Sequence, residues 1–134
     1  MLENEEGNII FGTYNGLNIL NTKTNTISKY LAGTNSALNT VQVTAIFVDS
    51  KERFWVATQN GLFVKAKGNA EFKSFVNNAK NPTSIITNNT KRIGEDDHGN
   101  VVIGTENGGL KLFDEKKLIL LSILIHGIQE LAAT

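Results

Sequence analysis

Hydrophobic and polar positions alternate along this chain in short runs, and the runs recur at a nearly fixed distance. Runs such as "RFWVAT" at 53–58 and "NVVIGT" at 100–105 are rich in β-branched and aromatic residues and are bounded by turn formers, which predicts short β-strands. A threonine ends each run, at Thr13, Thr58 and Thr105, and these positions are 45 and 47 residues apart. Such a period indicates a repeat protein.

Each period predicts four antiparallel strands, which we name a to d in chain order. Strand b ends at the threonine, and an Asn-Gly pair follows it, a sequence that favours a tight hairpin with positive φ. The three pairs are Asn15-Gly16, Asn60-Gly61 and Asn107-Gly108. Strand c comes next, and strand d follows at an equal distance, as "ISKY" at 27–30, "FKSF" at 72–75 and "LLSI" at 120–123. Strand a precedes b, as "VTAIFVD" at 43–49 and "TKRIGED" at 90–96.

A repeat of about 46 residues with four antiparallel strands is the sequence form of a β-propeller blade. We therefore predict an all-β chain of about three blades, which makes an incomplete propeller. The predicted units are a first blade that lacks its innermost strand (1–33), a second blade (34–79), a third blade (80–125) and an atypical tail (126–134).

The segments at 35–62 and 81–110 resemble the two-component regulator propeller repeat. That family's pattern runs Asn-Ser-Leu, then Val-x-x-Ile-x-x-Asp, then Gly-Asn-Leu-Trp-Ile-Gly-Thr-x-x-Gly-Leu. "GLKLFDEK" at 109–116 is similar to its Gly-Leu-x-x-Phe-Asp continuation, and the resemblance spans about residues 2–123. The motif tryptophan is kept only as Trp55, and Ala57 replaces the glycine near the end of strand b.

The resemblance implies a location and a role. Such propellers typically form the periplasmic input region of bacterial hybrid sensor kinases, often tuned to carbohydrate breakdown products. We therefore expect a ligand-sensing or interaction segment of a signalling receptor. The alternatives are a propeller enzyme, such as a polysaccharide lyase or hydrolase, and a bare protein-interaction scaffold. We expect no enzyme, because the sequence has no Gly-rich phosphate loop, no zinc-ligand spacing and no Gly-x-Ser-x-Gly elbow.

Three blades do not close a ring, since propellers usually have four to eight blades. One explanation is that the chain is an excerpt of a longer receptor. The other is self-association through the open blade faces, as in a homodimer with a six-bladed ring. The tail "LIHGIQELAAT" at 124–134 is compatible with a strand for the first blade, a short helix or a disturbed gene end.

The amino-acid composition excludes several classes of partner and site. Thirteen Lys and Arg balance thirteen Asp and Glu, so we expect no nucleic-acid partner. The absence of Cys excludes disulfides and thiolate metal sites. The longest apolar run, at 118–125, is too short to span a bilayer, so we expect no membrane contact by this segment. The opening "MLENEEGN" has no export-signal pattern.

The densest polar cluster is "EDDHG", with Glu95, Asp96, Asp97 and His98. Its carboxylates and imidazole have the chemistry of a divalent-metal site, but Asp or Asn at this place also caps the a–b turn. We favour the turn and assign no metal, cofactor or catalytic residue. His98 has no nucleophile beside it, and His126 in the apolar tail is expected to be a packed or surface residue.

The repeated threonines predict a structural hydrogen bond, because enzymes seldom place the same nucleophile in every blade. Trp55, inside strand b, is expected in the core between blades. The Asn-rich linkers at 33–40 and 77–89 carry amides and hydroxyls that suit sugar hydroxyls, although ordinary solvated loops are favoured. The sequence therefore assigns no ligand-binding residue.

Overall fold

The computed structural model describes residues 1–30, 38, 40–69, 71–75, 89–106, 109–114 and 119–123. Every element with defined bounds in this part of the chain is a strand, which confirms the predicted all-β class. No helix among these residues is long and apolar enough to cross a membrane. The histidine at 126 and the tail that contains it lie outside the described residues.

The strands form three antiparallel four-stranded sheets, which confirms an incomplete propeller of about three blades. Blade 1 has the order β1-β2-β3-β4, blade 2 β5-β6-β7-β8 and blade 3 β9-β10-β11-β12, so neighbours along the chain are neighbours in the sheet. The strands are β1 (Leu2–Glu3), β2 (Ile9–Thr13), β3 (Gly16–Asn21), β4 (Thr26–Lys29), β5 (Val43–Val48), β6 (Phe54–Thr58), β7 (Gly61–Lys65), β8 (Lys73–Phe75), β9 (Thr90–Glu95), β10 (Val101–Thr105), β11 (Gly109–Asp114) and β12 (Ile119–Ile123).

One part of the predicted organisation is corrected. The first blade was expected to lack its innermost strand, but β1 pairs with β2 through Leu2↔Ile10 and Glu3↔Ile9. These pairs have the register that Phe47↔Trp55 and Val48↔Phe54 have in blade 2. The strand forms because the Leu2 side chain packs against the first core cluster while its backbone completes the sheet edge. The innermost strand is therefore present, but it has two residues.

Blades 1 and 2 share a core whose two sides come from adjacent sheets. Ile10 and Leu17 of blade 1 face Phe54 and Phe63 of blade 2, and all four are buried. Phe54 also contacts the ring of Phe72 edge-on, with ring centroids 5.7 Å apart. A blade buries its sheet face only against a neighbouring blade, so the chain needs several copies of the repeat to form a core.

Blades 2 and 3 share a second core centred on Trp55. The indole is fully buried, as predicted, and its ring meets Phe113 of blade 3 edge-on at 5.0 Å between centroids. Its Nε1 donates a hydrogen bond to Oδ2 of Asp49 at 2.8 Å. The Arg53 guanidinium lies over both rings, 5.7 Å from Trp55 and 5.1 Å from Phe113. A single aromatic therefore joins the two blades and the a–b turn.

The two cores compensate each other in volume. Blade 1 presents the small Ile10 at the tryptophan position, and blade 2 opposes it with Phe54, Phe63 and Phe72. Blade 2 presents the larger Trp55, and blade 3 opposes it with one aromatic ring, Phe113, and with Val101 in place of Phe54. Because interiors are packed to near-crystalline density, each blade face is matched to one neighbour.

Candidate functional site

The turns between strands b and c are built by the repeated threonines. Thr13 Oγ1 donates to the carbonyl oxygen of Gly16 at 2.9 Å and accepts from the backbone N–H of Asn15 at 3.0 Å. Thr58 makes the same pair of bonds, at 2.7 and 3.0 Å, and Thr105 Oγ1 donates to Gly109 O at 2.7 Å. The predicted structural role of these hydroxyls is confirmed, and each is engaged in holding its own turn.

Only the glycine of each described Asn-Gly pair has positive φ, +85° at Gly16 and +115° at Gly61. The asparagine before it does not, so the turn is a two-residue loop followed by a left-handed glycine. In blade 3 the glycine that pairs with the threonine is Gly109, at φ +73°, because this turn is one residue longer. Residues 107–108 lie outside the described part of the chain.

The b–c turns share one end of the blades with the ends of the linkers that precede strand a. The N–H groups of Gly16 and Gln59 donate to Val41 O at 2.7 Å and Gln42 O at 3.0 Å, and Glu106 N donates to Asn89 O at 3.0 Å. We call this end the turn face. Of the two Asn-rich linkers, only Leu38, Thr40 and Asn89 are described, and Leu38 is buried in the first core cluster.

One position of the turn differs in every blade although the rest of the turn is repeated. It follows the threonine and holds Tyr14, Gln59 and Glu106, which we call the turn-tip residues. All three are exposed, Tyr14 at 82%. Glu106 Oε2 lies 3.6 Å from Lys91 Nζ and also accepts a hydrogen bond from Asn89 Nδ2. The hairpin fixes the neighbours of this residue but not its identity, so its chemistry is available for recognition.

A cleft of about 440 Å³ opens where the inner ends of the three blades meet. It is lined by Gly12, Thr13 and Tyr14 of blade 1, Gln42, Val43 and Thr44 of blade 2, and Lys91 and Arg92 of blade 3. Arg92 pairs in register with Gly104, as Ala45 pairs with Ala57, so two adjacent cations replace the neutral Thr44-Ala45 of blade 2.

The sequence interpretation did not single out Lys91, Arg92 or Tyr14. A signal was present in the aligned repeats, since Lys91 and Arg92 stand where blade 2 has the uncharged Thr44 and Ala45, and Tyr14 stands where blade 2 has Gln59. The residues that the repeats share, such as the threonines, are the more conspicuous in the sequence, but they hold the turns. The functional candidates are the residues that break the repeat.

The acidic cluster lies at the opposite end of the blades and forms a turn, as predicted. Asp96 Oδ1 accepts from the backbone N–H groups of His98 at 2.9 Å and Asn100 at 2.8 Å, and Oδ2 accepts from Asn100 Nδ2 at 3.0 Å. The Asn100 side chain, followed by these backbone donors, lowers the pKa of Asp96 below its ordinary value. Asn4 and Asp49 cap the equivalent turns of blades 1 and 2.

The other members of the cluster do not converge on Asp96. Glu95 turns toward blade 2, where its carboxylate accepts from Ser50 Oγ at 2.7 Å, while Asp97 and His98 are exposed to solvent. Among the described residues, no group of three or more His, Asp or Glu side chains is arranged to hold a metal ion. The cluster therefore acts as a turn cap and an inter-blade contact.

The chain shares its fold with solved extracellular domains from B. thetaiotaomicron. One belongs to BT3049, assigned to hybrid two-component systems, at TM-score 0.65 and 23% identity over 93% of this chain. Another belongs to BT4673, assigned to one-component systems, at TM-score 0.68 and 21% identity over 91% of this chain. The chain spans 16% of the length of each. No family model and no curated protein match it.

Proposed function

We propose that this propeller segment senses ligands for a two-component signalling receptor, outside the cytoplasm. The fold it shares with extracellular domains of bacterial signalling proteins supports this role and this location. The observation that carries the proposal is the set of turn-tip residues, which vary in a turn that is otherwise repeated. The hairpin does not constrain the side chain at these exposed positions, so each can serve recognition, as residues on the loops of a rigid scaffold often do.

The ligand is a carbohydrate-derived molecule. The Tyr14 ring is flat and exposed, and it offers an apolar surface for the C–H face of a sugar ring. Gln59 supplies an amide that donates and accepts, and Glu106 supplies a carboxylate that accepts from hydroxyl groups. Aromatic and polar side chains on the loops at one end of a rigid scaffold are a common form of binding surface. A ligand that touches tips of several blades would favour one inter-blade packing and transmit its presence through it.

The first test is binding of an oligosaccharide panel, neutral and uronic-acid, by calorimetry to the chain and to Tyr14→Ala. We expect the substitution to weaken binding by at least about 1 kcal/mol, roughly fivefold in Kd, because the stacking surface is lost. Tyr14→Phe should keep most of the affinity. Unfolding in urea should be unchanged in both, since Tyr14 is 82% exposed.

The matched control is His98→Ala, at the opposite end of the blades, which should bind as the unaltered chain does. Equal binding by Tyr14→Ala and the unaltered chain would contradict the site. The absence of any sugar binding would favour a protein-interaction scaffold. Turnover of the uronic-acid oligosaccharides that His98→Ala abolishes would favour the propeller enzyme and overturn the non-catalytic role.

We also propose that the chain self-associates through its open blade faces. Ile27 of blade 1 is 64% exposed, whereas Phe72, its equivalent in blade 2, is buried by a neighbour. Leu110 of blade 3 is 37% exposed, whereas its equivalent Leu62 is fully buried. Light scattering after size exclusion, at two protein concentrations, should give about twice 14.6 kDa. A monomer at both concentrations would contradict this.

A further inference from the structure

The two junctions between blades differ at the end that carries the a–b turns. At the junction of blades 2 and 3, the Arg53 guanidinium lies over the rings of Trp55 and Phe113. The register of the strands places Asn8 of blade 1 at the position of Arg53. It likewise places Lys65 of blade 2 at the position of Phe113. The group that covers the second junction is therefore not reproduced at the first.

The polar contact between neighbouring a–b turns is also absent from the first junction. In blades 2 and 3, the Ser50 N–H and hydroxyl donate to the Glu95 carboxylate, at 3.1 and 2.7 Å. The equivalent positions in blades 1 and 2 are Glu5 and Val48, and a valine side chain has no polar atom for such a bond. Val48 is left 37% exposed. The first junction thus lacks both closures of the second.

A groove of about 350 Å³ opens at this place between blades 1 and 2. Its apolar lining comes from both blades and consists of Leu2, Ile10, Tyr30, Val48 and Phe54. Both walls belong to paired strands, since Leu2 and Glu3 pair with Ile10 and Ile9 on the blade 1 side. The volume lies within the range of small-molecule sites, about 300–1,000 Å³.

The rim of the groove is acidic. The charged side chains that line it are three carboxylates and two ammonium groups, those of Glu3, Glu5, Glu52, Lys65 and Lys67. The Lys65 ammonium donates to the Tyr30 hydroxyl at 2.8 Å. The Glu52 carboxylate, and more weakly that of Glu5, raise the pKa of Lys67 above its ordinary value. Glu5 makes no hydrogen bond or salt bridge with the residues that the structure describes, so its carboxylate is available to a second cation.

Glu52 is held at this rim in an unfavourable backbone conformation. It ends the a–b turn of blade 2 at φ +62°, where the other blades have Gly7 at +82° and Gly99 at +80°. A residue with a Cβ is disfavoured in this left-handed region. The ion pair with Lys67 does not account for a carboxylate here, because both side chains are more than 60% exposed and such pairs contribute little. Strain that persists at one of three equivalent positions is typical of a functional residue.

We propose that this groove binds a small organic amine with an apolar body. The body lies on Val48 and Phe54, and the ammonium group is bound by the carboxylates of Glu5 and Glu52. The Arg53 guanidinium shows that the equivalent place at the second junction accommodates a cation beside aromatic rings. The groove and the turn-tip residues lie at opposite ends of the blades, so the proposal is independent of the sugar site.

The test compares three probes that share a phenyl body and differ in charge: phenethylamine, phenethyl alcohol and hydrocinnamate. Each is titrated into the full chain and followed by amide NMR. The amine should shift the amides of Glu5, Val48 and Phe54 and bind roughly two- to fivefold tighter than the alcohol, with the carboxylate weakest. Equal affinities for the three probes, or shifts confined to other residues, would overturn the proposal.

Charge-neutral variants locate the ammonium group. Glu5→Gln and Glu52→Gln should each weaken amine binding roughly two- to fivefold and leave alcohol binding unchanged. The matched control is Glu6→Gln, which removes the same charge from an adjacent exposed residue outside the groove lining and should bind as the unaltered chain does. Equal losses in all three variants would mean that net charge attracts the amine and would overturn the site.

Two further variants test the groove and the strain. Asn8→Arg supplies the side chain that covers the second junction and should block amine binding; full binding by this variant would contradict the location. Glu52→Gly should not lower the urea midpoint, because glycine accepts a φ of +62°, but it should weaken amine binding. A lower midpoint together with unchanged binding would show that Glu52 serves the turn alone, and this result would also overturn the proposal.

Discussion

Replacing Trp55 by alanine should lower the free energy of unfolding by about 3–5 kcal/mol, the usual cost of truncating a buried tryptophan. The indole is fully buried between blades 2 and 3 and contacts the Phe113 ring at 5.0 Å. Its removal leaves a cavity at the junction and takes the Nε1 donor from Asp49. Domains of this size are stable by about 5–15 kcal/mol, so the loss should shift the urea midpoint strongly.

Trp55→Phe separates packing from hydrogen bonding. It keeps an aromatic ring for Phe113 but removes one of the two donors to Asp49 Oδ2, since Arg53 Nε still bonds that oxygen. The loss of a hydrogen bond to a charged group costs about 1.5–3 kcal/mol. Circular dichroism follows unfolding of both variants, since Trp55 is the chain's one tryptophan and its fluorescence is lost. An unchanged midpoint for Trp55→Ala would mean that blades 2 and 3 do not pack in solution as described.

Asp49→Ala should be the second most damaging change, at about 3 kcal/mol. Asp49 Oδ1 accepts from the N–H groups of Lys51 and Arg53, both at 2.9 Å. Oδ2 accepts from Trp55 Nε1 at 2.8 Å and Arg53 Nε at 2.6 Å. Breaking a buried ion pair costs about 3–5 kcal/mol, and the lower end applies because Arg53 retains some solvent contact. Trp55 fluorescence during urea unfolding measures it.

The stability that is lost in Asp49→Ala should depend on pH, and the direction of this dependence follows from the pKa of Asp49. Burial raises the pKa of Asp49, but hydrogen bonds from Trp55 and Arg53 outweigh it, and the pKa lies below the ordinary 3.8. The unfolded chain therefore binds a proton at higher pH than the folded one. The stability from Asp49 is complete above about pH 5 and is lost as pH falls through the folded pKa.

The matched control for this position is Asp96→Ala, which removes an equivalent cap from an exposed turn. It should lower the free energy of unfolding much less than Asp49→Ala does, because the Asp96 cap is exposed to solvent. For Asp49→Ala itself, the difference in the free energy of unfolding from the unaltered chain should shrink below about pH 4. A gap that stays constant down to pH 2 would show that the Asp49 carboxylate is not held ionised by its neighbours.

Much of the architecture could be predicted because each strand carries its own signal. The threonine and the glycine of each b–c turn recur in the sequence, three residues apart in blades 1 and 2 and four apart in blade 3, and the structure joins each pair by one hydrogen bond. Strand d of blade 3 was also found by register alone, and β12 pairs with β11 as expected. Repetition lets three weak local patterns support one another.

The candidate site was harder to predict, because it depends on contacts between blades rather than within them. Nothing local to Lys91 or Arg92 shows that they meet Gly12 and Gln42 across the inner ends of three sheets. The two-residue β1 was missed for a related reason, since a strand this short has no period of its own. It forms only because Leu2 reaches the core that blades 1 and 2 share.

The matched volumes of the blade faces bear on how such arrays evolve. A tandem duplication of the segment that encodes blade 2 would set Trp55 of one copy against Phe54, Phe63 and Phe72 of the next. Trp55 would then meet three phenylalanines, whereas in the present junction it meets one phenylalanine of blade 3, Phe113, and Val101 stands in place of Phe54. Overpacking of this kind costs about 1–3 kcal/mol per site. New blades copied from this gene would need compensating substitutions before they were tolerated. Because each blade face packs best against its present neighbour, the sequences of the blades also constrain their order in the chain.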